Sequence, residues 1–171
     1  MAKEKTTTDD FFEKDYKLPD SSKYMKFQPG KNKFRILSSP VTGFEYWTKE
    51  DKPVRSKTLF TETPNGKENK EGKVSISHFW AMVVYNYDMN EVQTLEITQK
   101  GIQKYIKGLT EDPEWGSPKG YDLVVTRVGS GLETKYTTVA NPHKEVSKDV
   151  LEKYEAADIK LEELFEGATD F

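Results

Sequence analysis

The sequence contains no cysteine and only two histidines among its 171 residues. Without cysteine the chain has no disulfides, thiolate metal sites or cysteine nucleophiles, a composition that fits a reducing compartment. His78 and His143 lie far apart, and no carboxylates are spaced to complete a zinc site with them. We therefore expect no metal and no cofactor, and we interpret His78 as a partly buried structural residue of a strand.

Long apolar runs and catalytic motifs are also missing. No apolar run approaches the roughly 18 residues of a membrane-spanning helix, and the polar start of the chain, Met1 to Thr6, lacks the apolar region of a signal peptide. The sequence has no phosphate-binding glycine loop followed by Lys and Ser or Thr, and no G-x-S-x-G motif. We expect a cytoplasmic protein that has no membrane partner and is not an enzyme.

The composition predicts one compact domain with polar extensions. Hydrophobic residues make up 35% of the chain and charged residues 32%, so the core is expected to involve about 110 to 120 residues. Residues 1–23 are interpreted as a flexible arm and 24–142 as the domain, with a long loop insertion at 49–73. Residues 143–171 are predicted to form a C-terminal helix and an acidic tail.

Hydrophobic periodicity predicts a mainly β fold. Residues 33–48 read as one long strand that kinks near Pro40 and Gly43. Residues 74–87 and 92–98 form a predicted hairpin, and residues 121–128 and 132–139 form a second one.

Two helices complete the prediction. Thr98 is a candidate cap for a short helix whose apolar stripe consists of Ile102, Tyr105, Ile106 and Leu109, and Ser147 is a candidate cap for the C-terminal helix. The order β-β-β-α-β-β matches a five-stranded Greek-key barrel with a helix between its third and fourth strands, the OB-fold. Other small β-barrels share this order.

Charge is divided unevenly along the chain. Residues 149–171 carry eight acids against two lysines, a net −6, whereas residues 26–148 carry 19 Lys and Arg against 15 Asp and Glu, a net +4. A basic body attracts polyanions, and an acidic tail repels or imitates them. An acidic helix that only aids solubility explains the charge equally well.

Aromatic and basic residues are interleaved in the body, a mixture that favours binding of single-stranded nucleic acid. Bases stack on aromatic rings at about 1–3 kcal/mol each while cations follow the phosphates. About half of these rings must instead fill the core, and Trp80 is interpreted as one of the core residues. Tyr46 and Trp47 are adjacent and lie on opposite faces of a strand, so one is expected to be a core residue and the other exposed. The candidate DNA-binding residues are Lys33, Arg35, Tyr46, Trp47, Lys49, Arg55, Lys57, Phe60, Trp80, Tyr85, Arg127 and Lys135.

The tail is predicted to fold back on the basic groove until DNA displaces it. Its candidate partner-binding residues are Glu162, Glu163, Glu166, Asp170 and Phe171, in which an aromatic ring lies beside a carboxylate.

Several segments resemble the single-stranded DNA-binding proteins of tailed bacteriophages. They are Lys33-Phe34-Arg35-Ile36-Leu37, His78-Phe79-Trp80-Ala81, Leu95-Glu96-Ile97, Trp115-Gly116, Gly120-Tyr121-Asp122-Leu123 and, most specifically, Gly129-Ser130-Gly131-Leu132-Glu133-Thr134-Lys135-Tyr136-Thr137. The resemblance covers about residues 24–142. It implies an OB-fold that coats single-stranded DNA in phage replication, recombination and repair in the host cytoplasm, as a monomer or homodimer. It also implies a tail that recruits polymerase or helicase. The cysteine-rich zinc site of some relatives has no counterpart here.

Two other interpretations remain open. The chain could be a protein-interaction module or an acidic DNA mimic in which the tail is the active part. RNA binding is the third interpretation, although no residue pattern marks a reader of the 2′-hydroxyl group.

Overall fold

The computed structural model describes residues 23–61 and 65–166, and for Glu166 the backbone alone. The predicted arm, apart from Lys23, and the tail residues Asp170 and Phe171 lie outside this part of the chain. The strands are β1 (Gly30–Ile36), β2 (Val41–Trp47), β3 (Pro53–Ser56), β4 (Ser77–Asn86), β5 (Glu91–Ile97), β6 (Tyr121–Val128) and β7 (Lys135–His143). The helices are α1 (Lys100–Glu111) and α2 (Lys148–Ala157), and a 3₁₀ segment, Leu161–Glu166, is called the C-terminal turn below. The mainly β prediction is confirmed.

The seven strands form one antiparallel sheet rather than a closed barrel. Its order is β3-β2-β4-β1-β6-β7, and β5 pairs with the other edge of β4. No ladder joins β5 to β7 within the described residues. Instead, the outer edge of β5 is occupied by the chain around Tyr24, which forms a parallel bridge with Thr94. The amide of Met25 donates to the Thr94 carbonyl at 2.8 Å, and the amide of Thr94 donates to the Lys23 carbonyl at 2.9 Å.

The predicted long first strand is divided into β1 and β2. Both halves pair antiparallel with β4, β1 through Ile36↔Val84 and β2 through Val41↔Ala81. Pro40 lies in the break, where its missing N–H removes a ladder donor. The predicted loop insertion also differs from the structure, because it contains β3, which pairs with β2.

The two faces of β4 are covered by different parts of the chain. The inner face, with Met82 and Val84, belongs to the largest apolar cluster, and Trp80 packs against that cluster while half-buried. The apolar stripe of α1 contributes Ile102, Ile106 and Leu109 to the same cluster. The period of α1 in the sequence therefore predicted its buried side correctly, although Tyr105 is 39% exposed.

The C-terminal part of the chain covers the outer face of β4. Val83 and Tyr85 pack with Val150 of α2, and further along the strand Phe79 and Ala81 pack with the C-terminal turn. Burying an apolar side chain contributes about 1.5–3 kcal/mol, so this segment is held by apolar contacts and not by charge alone.

Three local predictions have mixed outcomes. Ser147 caps α2 as predicted, since its hydroxyl accepts a bond from the Val150 amide at 3.2 Å. Thr98 does not cap α1, because the cap position is Gln99 and its side chain makes no capping bond. The last strand begins at Lys135 rather than Leu132, because Gly131–Glu133 form a 3₁₀ turn that starts from a left-handed glycine with φ 56°.

Across the described residues, no helix combines the length and the apolar character needed to cross a bilayer.

Candidate nucleic-acid interface

The tip of the β2–β3 hairpin (residues 47–52) brings a ring and several cations together. Trp47 ends β2 with its side chain 38% exposed, and both Lys49 and Lys52 are exposed. The turn is built by the Thr48 amide, which donates to the Lys52 carbonyl at 2.8 Å, and by the Lys52 amide, which donates to the Thr48 hydroxyl at 3.1 Å. Asp51 adopts a left-handed φ of 64° in this turn. The hairpin tip is therefore a structured projection that carries one exposed ring, two lysines and two acids, of which Asp51 is paired with Lys67 at 2.7 Å.

A second ring pair supports the hairpin tip from the side. Tyr46 is half-buried and lies edge-on against Phe60, with ring centroids 5.0 Å apart. A side chain on Gly66 would meet the Tyr46 ring at 2.7 Å, so only glycine permits this close approach. The Lys67 amide donates to the Trp47 carbonyl at 2.7 Å. Neither Tyr46 nor Trp47 is fully buried, so the expectation that one of them is a core residue is wrong.

The C-terminal turn reaches the predicted cation Lys57. The Lys57 ammonium lies 2.8 Å from a carboxylate oxygen of Glu162 and 5.3 Å from the centre of the Phe165 ring. Phe165 in turn packs on Phe79 at 5.8 Å between centroids, and Leu164 is 6% exposed in the same cluster. An acidic, aromatic segment thus occupies the surface beside Lys57. Glu163 is exposed on this turn.

Arg55 is committed to two acidic side chains of the protein, the buried Glu45 and the half-buried Glu96. Its Nε lies 3.2 Å from Glu45 Oε1 and 3.2 Å from Glu96 Oε2, and its side chain is 1% exposed. Burial, reinforced by the nearby Glu96, raises the pKa of Glu45 to about 8, although Arg55 acts in the opposite direction. A ligand cannot reach Arg55 in this arrangement, so we leave Arg55 out of the interface.

Arg35 is similarly committed to the protein itself. Its Nη1 lies 3.3 Å from Asp122, its Nε donates to the Lys119 carbonyl at 3.0 Å, and its Nη2 donates to the Lys144 carbonyl. The Tyr87 hydroxyl donates to the same Asp122 at 2.7 Å. Burial, and then the bond to Asp122, raises the pKa of Tyr87 to about 12. We leave Arg35 out of the interface as well.

The other predicted residues are dispersed. Lys33 is 42% exposed beside Asp122, and Tyr85 is buried with its hydroxyl donating to Asn90. Arg127 donates to the Phe27 carbonyl at 2.9 Å, and Lys135 is exposed at the start of β7. None of these four belongs to the hairpin tip.

The prediction that His78 is partly buried is wrong. Its side chain is exposed near the start of β4, where it lies beside Phe44 with ring centroids 5.0 Å apart.

Several residues of this region were missed at the level of sequence. Lys52 lies at the hairpin tip, and a turn-forming pattern of Lys, Glu and Asp between two strands would have identified it. No local pattern identifies Glu96 and Asp122 as counterions, because they lie 41 and 87 positions from the arginines that they neutralise. In the described part of the chain, no group of three His, Asp or Glu side chains is placed to hold a metal ion.

Comparison of the chain with protein-family models, with curated proteins and with solved structures found no match.

Proposed function

We propose that the protein binds single-stranded DNA without sequence preference, with the hairpin tip as its main contact. The observation that carries this proposal is that the exposed Trp47 lies on the same hairpin tip as Lys49 and Lys52, neither of which has an ion-pair partner among the described side chains. Of the two acids on this tip, Glu50 is exposed and Asp51 is already paired with Lys67 at 2.7 Å. A base can stack on the indole ring while the two ammonium groups neutralise phosphates, and such stacking accepts any base. The resemblance to phage single-stranded DNA-binding proteins agrees with this role in replication, recombination and repair.

The sheet topology supports assignment to a modified, open OB-fold. β1 and β2 together behave as one bent strand against β4, β6 pairs with the far edge of β1, and α1 connects β5 to β6. These are the neighbours expected in that fold, apart from the missing contact between the third and fifth strands of the barrel. The strand β3, which pairs with β2, is an addition to it.

The C-terminal turn is proposed to mask part of this interface. Its Glu162 neutralises Lys57, and Leu164 and Phe165 anchor it on the outer face of β4. DNA phosphates would compete with Glu162 for the cation, and the released segment would be available to replication proteins such as a polymerase or helicase.

Tryptophan fluorescence tests DNA binding directly. We expect oligo-dT to quench the emission of the full chain, and the logarithm of affinity to fall with log salt by about 0.7 per phosphate contacted. The variant Trp47→Phe should lose most of the quenching, whereas Trp115→Phe, which changes a half-buried ring packed against the core, should retain it. Titrations with oligo-rU and duplex DNA establish the nucleic-acid preference. Absence of any quenching or salt-dependent binding would contradict the proposal and favour the DNA mimic.

Masking by the C-terminal turn is tested by charge removal. We expect Glu162→Gln/Glu163→Gln to bind oligo-dT more tightly at low salt, because Lys57 loses its carboxylate competitor. The matched control is Glu152→Gln/Glu155→Gln, which removes the same charge from exposed positions of α2. If both double variants bound oligo-dT more tightly by the same factor, the effect would come from net charge alone, and masking by the C-terminal turn would be contradicted.

A further inference from the structure

An open surface depression, called the cavity below, lies away from the hairpin tip, where the turn before β6 meets the chain that follows β7. It has a volume of about 580 Å³, and its basic lining residues are Arg35, Lys119, His143 and Lys144. Glu145 is the one carboxylate among the lining residues that the structure describes. We propose that this cavity is a nucleotide site, in which Lys119 and Lys144 bind the phosphate group.

The framework of the cavity is fixed by buried bonds. The guanidinium of Arg35 donates to the carbonyls of both Lys119 and Lys144, and the Lys144 amide donates to the Gly120 carbonyl at 3.0 Å. The two lysines therefore project from chain segments that are bonded to one another and to β1. A side chain on Gly120 would meet the His143 ring at 3.3 Å, so glycine allows these segments to lie close together. A site that is already formed binds its ligand at a lower entropic cost.

The charge available to a ligand comes from the two lysines. The charge of Arg35 is already offset by Asp122. Lys119 and Lys144 are both exposed, and neither has an ion pair within residues 23–61 and 65–166. Two ammonium groups against the single carboxylate of Glu145 leave a net positive site, which suits a phosphate monoester.

The rest of the cavity favours a nucleotide over a bare phosphate ion. Its volume falls in the range of about 300–1,000 Å³ typical of small-molecule sites, and Val146 and Leu151 form an apolar part of the wall. The His143 ring stacks on Trp115 with centroids 5.7 Å apart, and its Nε2 lies 2.9 Å from the Trp115 carbonyl. Since a carbonyl only accepts, the proton is on Nε2, and this bond holds the ring in place as a wall for a sugar or base.

The inference does not depend on the proposed function, because the hairpin tip contributes no residue to the cavity. The phosphate could belong to a free nucleotide or to the end of a DNA strand, and the chemistry of binding is the same for both.

Nuclear magnetic resonance tests the site on the full chain. We expect dTMP to shift the amide resonances of Gly120, Lys144 and Val146 in a saturable way, inorganic phosphate to shift them more weakly, and thymidine to leave them unchanged. The variant Lys119→Ala/Lys144→Ala should weaken dTMP binding at least tenfold. The control Lys100→Ala/Lys104→Ala removes two exposed lysines from α1 and should change the affinity for dTMP less than twofold.

The outcomes separate the sources of the phosphate and the two proposals. Tighter binding of 5′-phosphorylated oligo-dT than of unphosphorylated oligo-dT would assign the cavity to strand ends, and equal binding would assign it to free nucleotides. Failure of dTMP to saturate these resonances, or an equal loss in the control variant, would overturn the nucleotide site. Quenching by oligo-dT in the same protein would show that the hairpin-tip proposal survives that failure.

Discussion

The buried arginines and the exposed lysines of this protein carry the same charge but have different surroundings. Arg35 and Arg55 have side chains that are 3% and 1% exposed, and each is neutralised by a carboxylate from another strand, Asp122 for Arg35 and Glu96 for Arg55. Lys49 and Lys52 are exposed at the hairpin tip. Taking a charge out of water costs several kcal/mol unless it is paired and hydrogen-bonded, so the buried arginines must serve the fold. Only the exposed cations remain available to a polyanion.

The largest expected effect comes from breaking the Arg35 network. Arg35→Met leaves Asp122 buried without its main cation, and removing one partner of a buried pair typically costs about 3–5 kcal/mol. Urea unfolding measures this change. The double variant Arg35→Met/Asp122→Asn should be less destabilised than the single variant, because no buried carboxylate remains. If the double variant were instead the less stable of the two, the network would not be the cause.

The second effect is a pH dependence that distinguishes the two arginine networks. Because the pKa of Glu45 is raised from 4.5 to about 8, the folded protein holds a proton that the unfolded chain releases. Stability is therefore fully present below about pH 4.5 and falls as the pH rises towards 8, with a slope approaching ~1.4 kcal/mol per pH unit.

Glu45→Gln should remove this slope, as measured by urea unfolding at several pH values. Glu50→Gln, an exposed neighbour, should retain it. Identical slopes in wild type and Glu45→Gln would mean that Glu45 does not hold the proton.

A smaller effect is expected from the exposed cations, and on binding rather than on stability. Lys49→Gln/Lys52→Gln should reduce the slope of log affinity for oligo-dT against log salt by about 0.7 for every phosphate that the variant no longer neutralises. Unfolding free energy should stay within about 0.5 kcal/mol of wild type, as is usual for surface changes. The matched variant Lys100→Gln/Lys104→Gln on α1 should leave the salt slope unchanged. A reduced slope in this variant would mean that the salt dependence reflects the overall charge of the protein and not contacts at the hairpin tip.

The smallest effect is expected for an exposed ion pair. Lys107 lies 2.7 Å from Glu111 on α1, but both side chains are about two-thirds exposed. Lys107→Ala should cost no more than about 0.5 kcal/mol in urea unfolding, since exposed helical pairs contribute little. A loss comparable to that of Arg35→Met would remove the distinction between buried and exposed pairs.

Local patterns predicted most of the elements of this fold. Period-2 alternation located β4, β5 and β6, the stripe of α1 identified its buried side, and Ser147 marked the start of α2. The same patterns could not predict the open sheet. Closure into a barrel depends on which segment of the chain pairs with the outer edge of β5, and residues around Tyr24 occupy that edge.

The candidate site was less predictable than the fold. The alternation of a strand places Lys33 and Arg35 on one face of β1, but it cannot show that one is 42% exposed and the other 3%. The burial of the Arg35 side chain depends on distant chain segments, which cover it at Lys119 and Lys144. The hairpin tip was predictable in its residue types, whereas the contact between Glu162 and Lys57 spans about a hundred residues and has no local signature.

The short parallel pairing of Lys23–Met25 with β5 also bears on self-association into fibrils. A strand with an open edge offers a row of unpaired amides and carbonyls on which another chain can form a new strand. Here the amide and carbonyl of Thr94 are both engaged by the protein's own backbone. Removing the chain up to and including Met25 would uncover this edge of β5, and the shortened protein should then be more prone to aggregate.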